Sequence, residues 1–339
     1  MAVKIVRQPK KIALIGAPSS AAAFLPGSEK APTALRSAGL TERLQSAGYD
    51  VTDLGDCAPR HFADDEEHRR ARNLPEIVAG LNDLKVRAEA AVKSGAFVLV
   101  LGGDCAQTMG LLAGARRYYK HVNLMWVDRD ADLNTPASTP SGRIDGMVVA
   151  HIIGRGAPEL VRFWGESPLV REPDVTLFGL DRLDPPEEEF LSKSPMRHIY
   201  AADIQAKGEA SFKDALAFVH ADAHEFVLHL DIDVLSGEEI PAVNVPASGG
   251  LSLEIARAAL AGFTKHKNCL GLVVSQYNPD KDPDAASAKK LVDLLVGAFA
   301  ARLEPEPAGE SSGSEATAPA PEVADPGNTS LSRANGDGH

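Results

Sequence analysis

Six apolar runs recur along the chain, with intervals between them that mostly leave room for a helix. They cover residues 11–16, 96–103, 122–128, 174–180, 225–234 and 270–276. Each run is largely apolar at consecutive positions, whereas a half-exposed strand alternates apolar and polar side chains. The pattern therefore predicts six buried strands of a mainly parallel sheet.

Longer stretches with apolar residues at helical spacing lie between or after these runs. They predict helices over residues 74–94, 105–119, 212–220, 253–265 and 284–302. Strands and helices thus alternate along the chain, which is typical of an α/β layered fold. Residues 11–301 contain no linker-like segment, so we predict a single folded domain over residues 1–303.

The carboxyl-terminal segment, residues 304–339, differs sharply in composition from the rest. The chain has 339 residues and a net charge of -12, and this segment alone holds seven acidic residues and one basic residue. It is rich in Pro, Gly, Ser, Ala and Glu, and it has too few large apolar residues to offset the entropy of ordering it. We therefore predict a disordered acidic tail.

Composition also limits the partners that we expect. An acidic chain without basic clusters is a poor ligand for nucleic acid, whose binding depends on Lys and Arg at the phosphates. The start of the chain has no signal-peptide core, and no apolar run reaches the roughly 18 to 20 residues of a membrane span. We therefore expect a cytoplasmic protein with no membrane partner and with reduced thiols at its three cysteines, Cys57, Cys105 and Cys269.

Acidic side chains follow two of the predicted strands at the point where each strand ends. Asp128, Asp130 and Asp132 follow one strand, and Asp231 and Asp233 follow another. Ligands bind at the carboxyl ends of strands in open parallel sheets, and alternation points residues i, i+2 and i+4 to the same side. Such crowded carboxylates need a compensating charge, which is most often a divalent metal ion.

Each aspartate could instead be an ordinary helix cap or loop residue. Two such groups, together with the turn Gly102-Gly103-Asp104-Cys105 after a third strand, favour a metal site. The simplest interpretation of Cys105 taken alone is a small buried apolar residue.

Longer motifs resemble the ureohydrolases, the family of arginase, agmatinase and formiminoglutamase. They span residues 27–56, 99–105, 126–146, 230–252 and 273–279. The resemblance implies an arginase-like three-layer αβα sandwich with a mainly parallel central sheet, and a homo-trimer or homo-hexamer. It also implies two Mn²⁺ ions that bridge a hydroxide, which attacks the central carbon of a small guanidino or formimino substrate and cleaves a linear C–N bond.

The resemblance also implies a ligand set. Asp128, Asp132, Asp231 and Asp233 match metal ligands of the family, and Asp132 is expected to take part in catalysis as well. Four further residues stand where the family has a different one: Cys105 and Asp130 at two histidine ligands, Asp145 at a catalytic histidine, and Gln276 at a glutamate tied to guanidinium binding. A glutamine reproduces a bidentate contact to guanidinium poorly, so we expect arginine and agmatine to be poor substrates.

Four more residues match the substrate contacts of arginase. Asn134 and Ser141 stand at positions that hold the substrate carboxylate, and Asp184 and Glu187 match acids that face its amino group. Ordinary loop hydrogen bonding explains the first pair equally well.

The substitutions leave the metal centre with surplus negative charge, which weakens the Lewis acidity of bound ions. This surplus charge would be relieved by any one of four changes: a neutral thiol at Cys105, an Asp130 that is protonated or turns away, a single bound ion, or positive charge from Arg129 or Arg143. A thiolate ligand would favour Zn²⁺ or a later transition metal, and oxygen ligands favour Mg²⁺ or Mn²⁺. The sequence thus predicts a metal-dependent hydrolase, with one ion, another divalent metal or no metal as alternatives to two Mn²⁺.

A catalytically inactive arginase-like protein with a binding or oligomer-partner role is the other function that the sequence leaves open. A nucleotide-binding protein is a weak third, because the chain lacks a glycine-rich phosphate loop.

Overall fold

The computed structural model describes residues 5–303, and the predicted tail lies outside the described residues. Within this range the chain forms one eight-stranded sheet in which all neighbouring strands are parallel. The strands are β1 (Lys11–Ala17), β2 (Asp50–Asp56), β3 (Phe97–Gly102), β4 (Asn123–Val127), β5 (Val175–Leu180), β6 (Arg197–Tyr200), β7 (Phe226–Asp231) and β8 (Cys269–Ser275). Their order across the sheet is β2-β1-β3-β8-β7-β4-β5-β6.

Helices cover both faces of this sheet. They are α1 (Ala31–Ser37), α2 (Leu40–Ser46), α3 (Leu74–Lys93), α4 (Gln107–Ala115), α5 (Val148–Ile152), α6 (Pro158–Val161), α7 (Pro185–Leu191), α8 (Ala201–Lys207), α9 (Glu209–Val219), α10 (Leu253–Lys265) and α11 (Ala286–Leu303). One apolar core joins the sheet to α1, α2 and α8 to α11, and a second core joins the opposite face to α3 to α7. The predicted three-layer α/β sandwich is confirmed.

Strand β1 shows how the sequence builds the two cores. Ile12 and Leu14 are fully buried in one core, and Ala13 and Ile15 are buried in the other. Because successive side chains of a strand point to opposite faces, only a run without polar interruptions can fill both cores.

The six apolar runs correspond to β1, β3, β4, β5, β7 and β8, whereas β2 and β6 were not predicted. These two strands form the edges of the sheet, and in β2, with the sequence DVTDLGD, every residue is at least partly exposed. An edge strand needs less apolar surface, so its sequence lacks the signal that marks the central strands. The prediction for α10 matches its bounds, while α4 is shorter at both ends than predicted.

The central strands β3, β8, β7 and β4 are adjacent, so their carboxyl ends meet at one edge of the sheet. All the strongest candidate ligands follow these strands. Among the described residues, no helix combines the length and the apolarity that crossing a membrane requires.

Candidate functional site

A cavity of about 230 Å³ opens at the carboxyl ends of the four central strands. All twelve site residues that the sequence predicts line it: Cys105, Asp128, Asp130, Asp132, Asn134, Ser141, Asp145, Asp184, Glu187, Asp231, Asp233 and Gln276. The structure therefore brings together side chains that lie up to 171 positions apart in the sequence, as between Cys105 and Gln276.

The turn after β3 requires glycine at position 103. A Cβ atom there would lie 1.8 Å from the backbone oxygen of Ser19. Asp104, the next residue, is fully buried and accepts hydrogen bonds from the Ser19 hydroxyl at 2.6 Å and from the Ala22 N–H at 3.2 Å. Asp104 thus fixes the loop after β1 against the end of β3, which places Cys105 at the cavity.

The carboxylates at the ends of β4 and β7 are held by short hydrogen bonds. Asp128 accepts from the indole N–H of Trp126 at 3.0 Å and from the backbone N–H of Asp130 at 2.8 Å. Asp231 accepts from the backbone N–H of Asp233 at 2.8 Å and from the Cys105 thiol at 2.9 Å. The two strands therefore present oriented oxygen atoms.

Burial dominates the electrostatics of the cluster. It raises the pKa of Asp128, Asp132 and Asp231 well above the ordinary value, and neighbouring carboxylates add to the effect. Burial raises the pKa of Asp145 and of Asp233 to about 7, with Asp104 and Asp130 respectively contributing. Because ionised carboxylates are costly under these conditions, the cluster needs protons or a cation.

The donor set fits a cation. Atom Oδ1 of Asp233 is buried and has no hydrogen-bond partner among the described residues. Two groups of side chains have ligand atoms within 4.8 Å of one another. The first group is Cys105, Asp128, His229 and Asp231, and the second is Asp128, Asp130 and Asp233.

Asp132 belongs to neither group, although it lines the same cavity. Its φ of 51° lies in the left-handed region. The family resemblance predicts it as a metal ligand, and that role stays a prediction.

His229 is a member of the first group that sequence analysis missed. It lies inside β7, two positions before Asp231, and is completely buried. Its Nδ1 is 2.7 Å from the Thr108 hydroxyl, and its ring stacks on Trp126 with centroids 3.5 Å apart. The sequence signal that could have identified it is a single histidine in an apolar strand, two positions before Asp231 and therefore on the same face of the strand.

Arg182 is the second residue that sequence analysis missed. Its guanidinium binds both carboxylate oxygens of Asp130, with Nε 2.6 Å from Oδ1, and Nη2 lies 3.9 Å from Asp233 Oδ2. The sequence offered Arg129 or Arg143 as a source of positive charge; the charge of Arg129 does lower the pKa of Asp233, but the direct ion pair with Asp130 comes from Arg182. These two arginines pair with Asp181 and Asp64 instead.

Asp145, Gln276 and Cys105 form a hydrogen-bonded group on the cavity wall. The backbone N–H of Cys105 donates to Asp145 Oδ1 at 2.9 Å, and the Gln276 amide donates to Asp145 Oδ2 and to Cys105 Sγ. Burial, together with Asp231, raises the pKa of the Cys105 thiol well above its ordinary value. The thiol is therefore protonated in the metal-free chain and donates to Asp231.

The predicted substrate contacts already have partners within the chain. Asn134 donates to Asp184 Oδ2 at 2.8 Å, and Ser141 Oγ accepts from the backbone N–H of Arg143 at 3.1 Å. Glu187 accepts from the backbone N–H groups of Leu133 and Asp184 and completes a capping box at the start of α7. The bonds of Asn134 to Asp184 and of Leu133 to Glu187 hold the loop after β4 against the start of α7.

Comparison with known proteins identifies the family. The model of the arginase family matches residues 10–300. The arginase of Bacillus subtilis is 31% identical over 294 residues, which cover 85% of this chain and 98% of the relative. The arginase of Brevibacillus brevis is 30% identical over 298 residues, which cover 87% and 99%.

Solved structures agree with this result. The crystal structure of arginase from Bacillus cereus has a TM-score of 0.77 and 30% identity, covering 86% of this chain and 98% of that one. Formimidoylglutamase from Bacillus subtilis shares the fold with a TM-score of 0.71 at 18% identity. The predicted resemblance is confirmed, and the chain belongs to the arginase family.

Proposed function

We propose that this protein is a metal-dependent hydrolase that cleaves a linear C–N bond of a small guanidino or formimino compound. The observation that carries the proposal is the convergence at one cavity of the five aspartates at the ends of β4 and β7, with a buried oxygen on Asp233 that has no hydrogen-bond partner among the described residues. Such a cluster is costly without a cation, and the relatives described above are named as arginases.

The site's own residues supply binding and proton handling. A bound divalent ion would supply Lewis acidity and lower the pKa of water. Asp132 lines the cavity beside Asp128 and Asp145, and we assign it the task of orienting the attacking water. Asp145, held by the Cys105 N–H and the Gln276 amide, is assigned the proton that passes to the leaving amine.

The substrate is expected to be small. Asn134 and Ser141 would bind a carboxylate of the substrate, and Asp184 and Glu187 would face its amino group, as the family resemblance implies. Because the amide of Gln276 is bonded to Asp145, we expect weak recognition of a guanidinium and therefore poor turnover of arginine. Manganese as the ion, a trimer or hexamer, and a cytoplasmic location stay predictions.

Turnover by the purified full chain tests the proposal. Urea and ammonia release are measured with a panel of guanidino and formimino compounds, after loading with Mn²⁺ or Zn²⁺. We expect metal-dependent release that Asp231→Asn abolishes and that Asp293→Asn, an exposed residue of α11 paired with Arg43, leaves unchanged. Equal activity of Asp231→Asn and the parent would contradict the proposed site.

A catalytically inactive, ligand-binding protein is the second candidate function. Two observations favour it: Arg182 engages Asp130, and the Gln276 amide is bonded to Asp145. The first contact occupies Asp130, whose position the resemblance assigns to a metal ligand. The second occupies Gln276, whose position it assigns to guanidinium binding. Bound metal and saturable binding of a guanidino compound without turnover would support this candidate over the hydrolase.

A further inference from the structure

We propose that the centre takes one divalent ion rather than two, and that the guanidinium of Arg182 stands in for the second ion. The four expected ligands of the single ion are Cys105, Asp128, His229 and Asp231. The inference deepens the proposed metal centre, and it is tested by metal binding, so it can stand or fail independently of hydrolysis.

The position of Arg182 is set by the backbone. The backbone N–H groups of Asp181 and Arg182 both donate to the carbonyl oxygen of Arg129, at 2.9 and 3.1 Å. The loop after β5 is thereby fastened to the chain just beyond β4, one residue after Asp128. The backbone of Arg182 therefore starts close to Asp130, and its side chain, although 42% exposed, forms a bidentate ion pair with that carboxylate.

A second ion would need the group Asp128, Asp130 and Asp233. Both oxygens of Asp130 are engaged by Arg182, whose Nη2 is also 3.9 Å from Asp233 Oδ2. A guanidinium keeps its charge in proteins, so an ion at this position would meet a cation and would lack one of its three ligands. The extra negative charge of Asp130 is balanced at the same time.

The remaining group is intact and contains an imidazole. His229 Nδ1 is anchored to the Thr108 hydroxyl at 2.7 Å, and Nε2 faces the Ser275 hydroxyl at 3.4 Å. That hydroxyl is itself 3.4 Å from Cys105 Sγ, so Nε2 lies on the side of the ring toward the sulfur. A ligating histidine is commonly fixed through its other nitrogen in this way.

His229 therefore supplies the imidazole that the resemblance expects at position 105. A group with one sulfur, one nitrogen and two carboxylates suits Zn²⁺ or a later transition metal better than Mn²⁺. When the sulfur–metal bond forms, the thiol proton of Cys105 is released to solvent.

Metal binding by the full chain tests the inference. The protein is stripped with a chelator, titrated with Zn²⁺ or Co²⁺ by calorimetry, and examined by elemental analysis after dialysis. We expect one ion per chain, with weaker binding of Mn²⁺. The Co²⁺ form should show the near-ultraviolet charge-transfer band of a cobalt–thiolate bond, and Cys105→Ser should lose that band.

Two variants and their matched controls separate the parts of the inference. His229→Gln should weaken Zn²⁺ binding at least about tenfold, whereas His198→Gln, in β6, should not. Arg182→Gln should raise the capacity to two ions per chain, whereas Arg43→Gln should leave it at one. Circular dichroism checks that each variant folds. X-ray absorption of the parent Zn²⁺ form needs no variant, and we expect it to show one sulfur ligand and at least one imidazole ligand.

Two ions per parent chain, or a Zn²⁺ spectrum without sulfur or imidazole, would overturn the inference. A folded parent chain that binds no ion would overturn it together with the proposed function. Turnover by a two-ion protein would leave the proposed function standing and the inference refuted. One tightly bound ion without turnover would leave the inference standing and refute the proposed hydrolase function.

Discussion

The buried carboxyl group of Asp145 makes the stability of the metal-free protein depend on pH. Burial, with Asp104 nearby, raises its pKa from the ordinary 3.8 to about 7. Between these values the folded chain keeps a proton that the unfolded chain has released, so stability falls as pH rises through this window. At 1.36 kcal/mol per pKa unit, the full loss for this one group is about 4 kcal/mol.

Asp145→Asn removes this ionisation. Asparagine has nearly the same shape and does not ionise, and its amide oxygen can still accept the backbone N–H of Cys105. The Gln276 amide can rotate to present its oxygen. Buried His151, whose pKa burial lowers to about 4, changes stability in the opposite direction, but it is common to both proteins and cancels in their difference.

Urea unfolding in the presence of a chelator measures this difference. Relative to Asp145→Asn, the parent should lose about 3 kcal/mol between about pH 5 and pH 7.5, and added Zn²⁺ should restore much of the loss. Asp203→Asn, an exposed residue of α8 paired with Lys207, serves as the control. A difference between parent and Asp145→Asn that is flat or rises with pH would refute the electrostatic reasoning.

Other expected effects follow from backbone geometry and capping. Gly103→Ala should destabilise the protein by about 1–3 kcal/mol or more, because its Cβ would meet Ser19 O at 1.8 Å; Gly262→Ala, with open space, should be neutral or stabilising in thermal unfolding. Ser252→Ala should cost about 0.5–2 kcal/mol in the same assay, because Ser252 caps α10 through the Ile255 N–H. If Gly103→Ala melts at the same temperature as the parent, the close approach to Ser19 is contradicted. If Ser252→Ala does so, the capping bond to Ile255 is contradicted.

The convergence of acidic side chains at one cavity was the part of the site that the sequence predicted best. Asp128 and Asp231 stand directly after or at the end of apolar strands, and parallel strands end at a common edge, so strand position alone indicated a shared cavity. The family motifs then added Asn134 and Gln276, which also line it. The chemistry of these residue types and their distance from a strand end are local properties of the sequence.

The partners of those residues were not local. Arg182 and Asp130 are 52 positions apart, and they meet because the loops after β5 and β4 are joined by backbone hydrogen bonds. The sequence offered Arg129 and Arg143 because they are near the aspartates along the chain. Both point toward other carboxylates in the folded protein.

The amino-acid sequence by itself determined the layered α/β fold and the edge of the sheet that carries the chemistry, because apolar runs and the residues that end them are set along the chain. Tertiary structure alone decided the edge strands β2 and β6, the placement of His229 close to Cys105, and the ion pair between Arg182 and Asp130. Strand order and loop packing fix these contacts, since they bring together side chains whose separation in sequence carries no information about their distance in space.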